Sequence, residues 1–410
     1  MELRIALNPA DLDRFRSHSI LKTFKRGRPR NSIERTATPT EKRLAYSVYE
    51  LGGNAWTAEM TLCHGQQAGQ PVCTAQFRLR EGPSAPLCAL LQAMAEAVPF
   101  RVMDEFSHTT KAVKAKPPPL QRELEAGEAF RLIAASAISH LLVNGDYLSR
   151  TADPEAVHQM RVAVRRLRAA MTMFKPLLGD PVSGSLRGEL RWLQQTLGAA
   201  RDWDVLLADT VAPLKDLFGE VPGYGKLCAA IDRRRQEART GALKELDAPR
   251  LTRLMLLLTF WAENAGSGQA LSEHPVAKLA RAILDKRYRK IRKKMVQLNE
   301  LSADERHECR IDVKKLRYAM DFFSSLFPAK HSSRLLPLLA SMQDKLGALN
   351  DLHTAQDKLG KLVLEQGDAD MAWAAGQLLG WHAGRSPKLL SQVQDDWSGV
   401  ERLPAFWKED

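Results

Sequence analysis

The sequence predicts a mainly α-helical protein in which two pseudo-symmetric four-helix bundles, related by internal duplication, follow a small α+β domain with an antiparallel sheet. Three observations predict this fold class. Residues 1–113 contain short alternating apolar runs separated by glycine and asparagine, a pattern typical of antiparallel strands. From Gln121 onward, apolar residues recur with a helical period almost without interruption. Within that helical region, two motifs each return after the same offset of 149 residues.

The first region predicts strands near residues 2–7, 43–51, 54–62 and 71–79, followed by an amphipathic helix near 85–98. Between the first two strands lies the basic stretch KTFKRGRPR, residues 22–30. We interpret it as a solvated basic loop, and the alternative is an accessory contact to a polyanion.

A proline-rich segment, KAKPPPL at residues 114–120, separates the two regions. Three consecutive prolines favour a stiff polyproline II conformation, so this segment is predicted to be a linker. The predicted domains are the α+β domain at 1–113, the linker at 114–120, a first helical repeat at 121–266 and a second at 267–410. Helices are predicted near 124–150, 154–176, 184–216, 225–246, 250–265, 274–298, 302–327, 333–366 and 369–393.

The internal repeat is the most informative feature of the sequence. HQMRVAVRRLR at residue 158 returns as HECRIDVKKLR at residue 307, and QQTLGAARDWD at 194 returns as QDKLGALNDLH at 343. One offset holds across both motifs without a gap, which chance rarely produces. The two basic helices are therefore expected to face one another across a pseudo-two-fold axis.

Each repeated helix carries a row of cations beside an apolar stripe. Residues three or four apart on a helix lie on one face, with Cβ atoms about 5–6 Å apart. The rows are His158, Arg161, Arg165 and Arg168 in the first copy and His307, Arg310, Lys314 and Arg317 in the second, with Arg166 and Lys315 beside them. So many adjacent cations suit a linear polyanion, because guanidinium groups bind phosphate oxygens bidentately. The basic run KRYRKIRKK adds Arg289 and Lys293 as further candidates.

A simpler interpretation is that these are surface cations balanced by nearby acids, and the matched second copy argues against it. Asp202 and Asp351 follow an LGA turn in each copy and are expected to reach back to the basic helices. We predict that these carboxylates orient the cations without contacting a ligand. Gly198 and Gly347 are expected to allow close helix packing or a kink.

The overall composition points to a polyanionic partner. The chain of 410 residues has a formal net charge of +12, which favours nucleic acid, an acidic membrane surface or a phosphate polymer. Five scattered cysteines indicate neither a disulfide framework nor a zinc site, so a reducing compartment is expected. Neither a signal peptide nor an apolar run of about 20 residues is recognised, which predicts a soluble cytoplasmic protein without membrane contact.

Residues 121–400 resemble the conserved-histidine α-helical domain family, called CHAD. The resemblance rests on HxxRVAxRRLR at His158, HxxRIxxKKLRY at His307, LGAARDWDV at 197–205 and LGALNDL at 346–352. It implies two four-helix bundles around a basic channel that binds inorganic polyphosphate, and association with polyphosphate granules. Carried onto this sequence, the resemblance implies these binding residues, the last two less directly: His158, Arg161, Arg165, Arg166, Arg168, His307, Arg310, Lys314, Lys315, Arg317, Arg289 and Lys293.

The N-terminal region resembles a reduced CYTH domain, a β-barrel family that hydrolyses triphosphates with a divalent metal. Only Glu2 and Arg4 match the end of its ExExK signature, and Gln76 and Arg78 stand where paired glutamates are expected. The region is also little more than half the usual length. Metal-assisted hydrolysis needs carboxylate ligands, so we expect a degenerate, non-catalytic domain that serves as a scaffold or a protein-contact surface.

Three other functions remain as alternatives to non-catalytic polyphosphate binding. A metal-dependent triphosphatase or polyphosphatase needs a carboxylate cluster that the sequence does not reveal. A nucleic-acid binder fits the charge, but no aromatic residues interleave the basic rows as a stacking platform and no groove-reading motif is present. Zinc binding by His158 and His307 requires both copies to converge. Walker, GxSxG and HExxH motifs are missing, so neither cofactor nor metal is expected.

Overall fold

The computed structural model describes residues 2–37, 42–67, 70–104, 107, 109–179, 181–265 and 274–408. In these ranges the protein is mainly helical and begins with an antiparallel sheet of six strands, which confirms the predicted fold class at this level.

The N-terminal sheet has the strand order β2-β3-β4-β5-β1-β6. Its strands are β1 Glu2–Leu7, β2 Lys25–Ala37, β3 Lys42–Gly52, β4 Thr57–Gln67, β5 Gln70–Glu81 and β6 Phe100–Met103. Three helices accompany them: α1 Leu12–Ser17, α2 Ser19–Phe24 and α3 Ala85–Ala97. Along β1, Leu3, Ile5 and Leu7 are buried and alternate with exposed or half-buried residues. This alternation puts one face of the sheet into the core that it shares with α3.

The prediction of a loop at residues 22–30 is wrong. This stretch forms the end of α2 and the beginning of β2, which pairs with β3 at the edge of the sheet. Its proline lies where the register shifts between Arg26 and Arg30, and a proline is tolerated at such an irregular edge because no ladder hydrogen bond is lost. The side chains that follow Arg26 in this stretch lie outside the described part of the chain.

Ten helices follow in the described part of the chain. They are α4 Ala126–Thr151, α5 Pro154–Met173, α6 Pro181–Val205, α7 Lys215–Phe218, α8 Tyr224–Leu246, α9 Pro249–Asn264, α10 Val276–Met295, α11 Ala303–Phe323, α12 Ala329–Gln366 and α13 Ala369–Arg402. At the offset of 149 residues, α4, α5, α6 and α8 correspond to α10, α11, α12 and α13. The basic helices α5 and α11 begin at side-chain caps, Asp153 and Ser302, which satisfy backbone N–H groups of their first turns.

Two contacts relate the repeats by a pseudo-two-fold rotation. Phe174 and Phe323, which are equivalent at the 149 offset, contact each other with ring centroids 6.1 Å apart. Residues just before α4 and α10 form a short antiparallel bridge. There the Ala126 N–H donates to His274 and the Val276 N–H donates to the Leu124 carbonyl, both at 2.8 Å. The bridge is reciprocal at an offset of 150, one residue from the offset of the motifs, and such reciprocal contacts are expected near a two-fold axis.

The two repeats differ where a single helix was predicted at 184–216. The α-helix α6 ends at Val205 and continues as a π-helix, Leu206–Val211, and a 3₁₀ turn that contains Pro213. In the second repeat, α12 runs unbroken over 38 residues and has Leu362 at the position of this proline. Proline lacks the N–H of a helical hydrogen bond, so Pro213 accompanies the change of helix type in the first copy, whereas Pro337 lies inside α12 without ending it.

The sheet packs directly on the first helical repeat. The α3 helix lies against α9, and the Thr252 hydroxyl donates to the Phe100 carbonyl at 2.8 Å. The segment 114–120, predicted to be a spacer, is itself packed: Pro118 and Leu120 are buried, and the Lys116 carbonyl accepts hydrogen bonds from Ser136 of α4 and Arg166 of α5.

One helix, α4, is long and apolar enough to span a membrane by composition. Within the structure, 67% of its apolar window is buried against the rest of the protein. Packing in the core therefore accounts for its composition.

Candidate functional site

A cavity of about 1380 Å³ lies between the two repeats and is lined by residues of α5, α6, α11 and α12. Within the described ranges, its wall contains four aspartates and eight cationic side chains: Arg161, Arg165, Arg166, Arg201, Arg310, Lys314, Arg317 and Lys358. Both repeats contribute, because α5 and α11 turn their basic rows toward the same space. The cavity wall is therefore strongly cationic.

Arg165 and Lys314, which are equivalent in the two repeats, both line the cavity. Burial, together with the positive charges of Arg165, Arg310, Arg161 and Arg317, lowers the pKa of Lys314 to about 7. A lysine with this pKa is close to half-neutral at neutral pH. The ligand-free protein thus relieves part of its own repulsion by releasing a proton.

Arg161 is held by its neighbours on α6. Its Nη1 donates to the Leu197 carbonyl at 3.1 Å and lies 3.5 Å from the Asp202 carboxylate. Gly198 makes this possible, because a Cβ there would stand 3.2 Å from Arg161 Nη1. The glycine was predicted to permit packing or a kink, and it leaves room for a guanidinium group.

The second repeat has a looser version of this arrangement. A Cβ on Gly347 would be 3.7 Å from Arg310 Nε, an ordinary contact. Asp351 lines the cavity, and burial raises its pKa despite the opposing charge of Arg310. Asp202, by contrast, lies beside Arg161. The two aspartates therefore face their basic helices at different distances from the cations.

His158 and Arg166 also line the cavity; His158 is half-buried and Arg166 is buried. Burial lowers the pKa of His158, and the charges of Arg201, Arg165 and Arg161 add to this against the opposing charge of Glu155. Arg166 is 5% exposed, forms an ion pair with Asp321 and places its guanidinium carbon 4.9 Å from the Phe322 ring centre. Burial lowers the pKa of Arg166 to about 10. Much of its donor capacity is therefore used inside the protein.

Five of the predicted residues do not line this cavity. Arg168 donates to the Gln194 side chain at the margin of the cavity, and His307 bonds to Asn350. Arg289 is exposed and pairs with Asp285 at 2.8 Å. Lys293 is exposed on α10, and Lys315 opens into a separate cleft on the other side of α11.

Among the side chains of the cavity wall that sequence comparison between the repeats missed, three bear on the cations: Arg201, Lys358 and Tyr318. Arg201 and Lys358 correspond to Asn350 and Asp209 at the 149 offset, so neither repeats as a cation. Lys358 lies over the Trp203 ring, 4.4 Å from its centre. Tyr318 follows the second basic motif directly, and its hydroxyl accepts a hydrogen bond from Arg165 Nε at 3.3 Å. The binding residues were predicted from cations that recur in both copies, and these three side chains do not recur.

The equivalent glycines provide a matched test of how Arg161 is held. In a helix, alanine is favoured over glycine by about 1 kcal/mol. We expect Gly347→Ala to stabilise the protein by about that amount, and Gly198→Ala to add less than half of it because Arg161 must move. Urea unfolding of both variants measures the difference. Equal gains at the two positions would show that Arg161 is not tightly held.

On the N-terminal sheet, the residues compared with the CYTH signature lie together on its exposed face. Glu2 is opposite Arg78, and Arg4 is opposite Gln76, in the register of β1 and β5. Glu2 accepts hydrogen bonds from Gln76 and, at 3.2 Å, from Arg78. Its carboxylate is thus already paired within the protein.

Comparison with known proteins identifies the helical region. The CHAD domain model matches residues 132–360. The crystal structure of the CHAD domain from the plant Ricinus communis is 33% identical, with a TM-score of 0.64, and the match covers 72% of this chain and 99% of that one. The protein PptA from Streptomyces chartreusis is 19% identical with a TM-score of 0.55, covers 67% of this chain and 99% of its own, and shares the fold.

Two uncharacterized proteins from two strains of Mycobacterium tuberculosis are each 28% identical over 238 residues, which is 53% of this chain. The match spans only 45% of their length, so this chain corresponds to about half of those relatives. Because the family model matches more than half of the chain, and a solved member matches over almost its full length, the protein belongs to the CHAD family, which is associated with polyphosphate binding.

Proposed function

We propose that this protein binds inorganic polyphosphate in the cavity between its two helical repeats, without hydrolysing it. The observation that carries the proposal is the convergence of eight lysine and arginine side chains from both repeats on one cavity of about 1380 Å³. Guanidinium groups bind phosphate oxygens bidentately, and several of them in one partly buried space favour a ligand with many closely spaced anions. We further propose that the repeats act as two four-helix bundles around this channel.

Nucleic acid is the less favoured ligand. Single-stranded nucleic acids are bound by cations together with aromatic side chains on which successive bases stack. Tyr318 is the one aromatic side chain among the described residues that line the cavity, and its hydroxyl is engaged by Arg165. The cavity therefore has the charge that a phosphate backbone needs and little that would hold bases.

The absence of hydrolysis is proposed from the N-terminal sheet, which we take to be a degenerate CYTH-like domain. Glu2 forms an ion pair with Arg78 and accepts a hydrogen bond from Gln76, so its carboxylate is engaged rather than free to hold a metal ion. In the described ranges, groups of three or more His, Cys, Asp or Glu side chains arranged as metal ligands are not found. Such a domain suits a scaffold or protein-contact role. A metal-dependent triphosphatase is the alternative, and it would need carboxylates that these residues do not supply.

The cellular setting is proposed from the ligand. A protein that binds polyphosphate through a cationic cavity would reside in the cytoplasm on polyphosphate granules, with neither membrane nor cofactor required. We also propose that the N-terminal domain contacts a protein partner.

Calorimetric titration tests the proposal. Long-chain polyphosphate, single-stranded DNA and inorganic triphosphate are titrated separately into the purified protein at the same salt concentration. Released phosphate is then assayed after adding Mg²⁺ or Mn²⁺. We expect tight binding of polyphosphate, weak binding of DNA and no phosphate release. Phosphate release would establish an enzyme, and DNA binding of equal strength would reduce the cavity to a general polyanion surface.

The salt dependence of affinity gives a quantitative check. With about eight neutralised phosphates and about 0.7 released counterions for each, as for single strands, the logarithm of the association constant should fall with a slope of about −6 against the logarithm of salt concentration. A slope near −2 would mean that most cavity cations do not contact the ligand.

A further inference from the structure

The linker crosses one repeat in a way that the second repeat does not reproduce. The Lys116 carbonyl is bonded by Ser136 of α4 and Arg166 of α5, at 3.2 and 3.5 Å. The Val113 carbonyl accepts hydrogen bonds from His140 and Asn144, at 2.8 and 3.0 Å. An extended polypeptide thus lies across the helix pair α4 and α5, held through its backbone.

All four equivalent positions of the second repeat carry charged side chains, whereas in the first repeat only Arg166 is a cation. At the 149 offset, His140, Asn144 and Arg166 become Arg289, Lys293 and Lys315, and Ser136 becomes Asp285. Beside Lys315, a cleft of about 330 Å³ opens between α10 and α11. Lys286 and Arg287 also line it, and in the first repeat their counterparts are the buried residues Ala137 and Ile138. Within the described ranges, the cleft is lined by side chains of α5, α10 and α11 alone.

We propose that this cleft, where Lys315 stands at the position equivalent to the linker-binding Arg166, binds an extended acidic peptide of a partner protein. Where the linker offers neutral carbonyl groups to neutral or paired donors, the partner would offer carboxylates to lysine and arginine. In extended chains, side chains on one face recur about every 6.6 Å, a spacing that matches cations one to two helical turns apart.

A peptide fits the cleft better than a phosphate polymer does. Its floor contains the apolar side chains of Met173 and Ile283, which can pack against side chains of a peptide. It also contains Asp312, which is 5% exposed and pairs with Lys290 at 3.0 Å. The Asp312 carboxylate can accept a hydrogen bond from a peptide N–H, a donor that ionised polyphosphate lacks. The cleft and the central cavity lie on opposite faces of α11 and share no lining residue.

Two variants with matched changes in charge test this assignment. The cleft variant is Thr172→Glu with Lys286→Glu, which places two carboxylates in the cleft. The control is Lys388→Glu with Ser391→Glu, an equal change in charge at exposed positions of α13. The ligand is a fluorescently labelled peptide of about ten alternating glutamate and alanine residues, long enough to span about 33 Å when extended. Its partner peptide has glutamine in place of glutamate, and fluorescence anisotropy reports binding.

We expect the full-length protein to prefer the acidic peptide over the neutral one, and the cleft variant to bind it at least about tenfold more weakly, a change of about 1.4 kcal/mol. The control should match the unmodified protein within about twofold, and polyphosphate affinity should change by less than about threefold in both variants. Equal losses in cleft variant and control, or no preference for the acidic peptide, would overturn the proposal. Strong loss of polyphosphate binding in the cleft variant alone would assign the cleft to polyphosphate instead. Failure of polyphosphate to bind even the unmodified protein would refute only the function proposed for the central cavity.

Discussion

Reversing the charges of Arg165 and Lys314 together is expected to abolish polyphosphate binding, with a loss of affinity of at least about 100-fold. Charge-assisted hydrogen bonds contribute about 1.5–3 kcal/mol each, and each reversal replaces an attraction with a repulsion. The two residues are equivalent in the repeats, and both line the cavity. Titration calorimetry of Arg165→Glu with Lys314→Glu against long-chain polyphosphate measures the loss.

Separate controls test whether the double variant folds and whether a change in net charge alone weakens binding. The new carboxylates would lie among Arg161, Arg310 and Arg317, so they relieve repulsion, and we expect circular dichroism and thermal stability to be maintained. Lys244→Glu with Lys388→Glu reverses two exposed cations on α8 and α13, outside the cavity lining, and should change affinity only slightly. Normal binding by the cavity variant would exclude the basic rows as the site.

Binding of polyphosphate is also expected to take up a proton at Lys314 and to weaken as pH rises. The ligand-free pKa of this lysine is about 7, and a bound polyanion raises it by neutralising the surrounding cations. Below pH 7 the lysine is charged in both states, so little proton uptake occurs. Above pH 7 only the complex keeps the charge, so affinity falls by up to about tenfold per pH unit.

Calorimetry in buffers of different ionisation enthalpy measures this uptake directly. We expect about 0.9 proton per complex at pH 8 and about 0.1 at pH 6 from Lys314. Lys314→Arg keeps the charge and removes the titration of this residue, so the part of the proton uptake that Lys314 contributes should disappear while binding at pH 6 is retained. This variant separates the lysine from the terminal phosphates of the ligand, which also titrate near neutrality. An unchanged uptake would locate the proton elsewhere.

The helical repeats were predictable because periodicity and end signals agree. The helices predicted near 154–176 and 302–327 begin within one residue of the observed starts of α5 and α11, where the side chains of Asp153 and Ser302 cap the first turns. The apolar stripes also fix which face of each helix is buried. As a result, the basic rows of the two copies could be placed beside the core from the sequence alone.

Other features depend on tertiary structure that local patterns do not encode. Strand β6 has only four residues and forms because it pairs with β1. Strand β2 begins within the basic stretch 22–30, where apolar residues do not alternate with polar ones. Arg201 and Lys358 reach the cavity from positions that do not repeat as cations. Arg289, Lys293 and Lys315 were assigned to one site because they are basic, whereas the orientation of α10 and α11 directs them away from the cavity.

The reciprocal contact of Phe174 with Phe323 has a consequence for ligand direction. A site with approximate two-fold symmetry treats the two senses of a threaded chain as nearly alike. DNA strands and peptides have chemically distinct ends and can exploit only one sense well. A linear polymer of identical units is the same in either direction, so it can bind in two equivalent orientations. These two orientations make the binding free energy more favourable by about 0.4 kcal/mol. Every further unit also adds a register, so affinity per molecule should grow with chain length even when the number of contacts is constant.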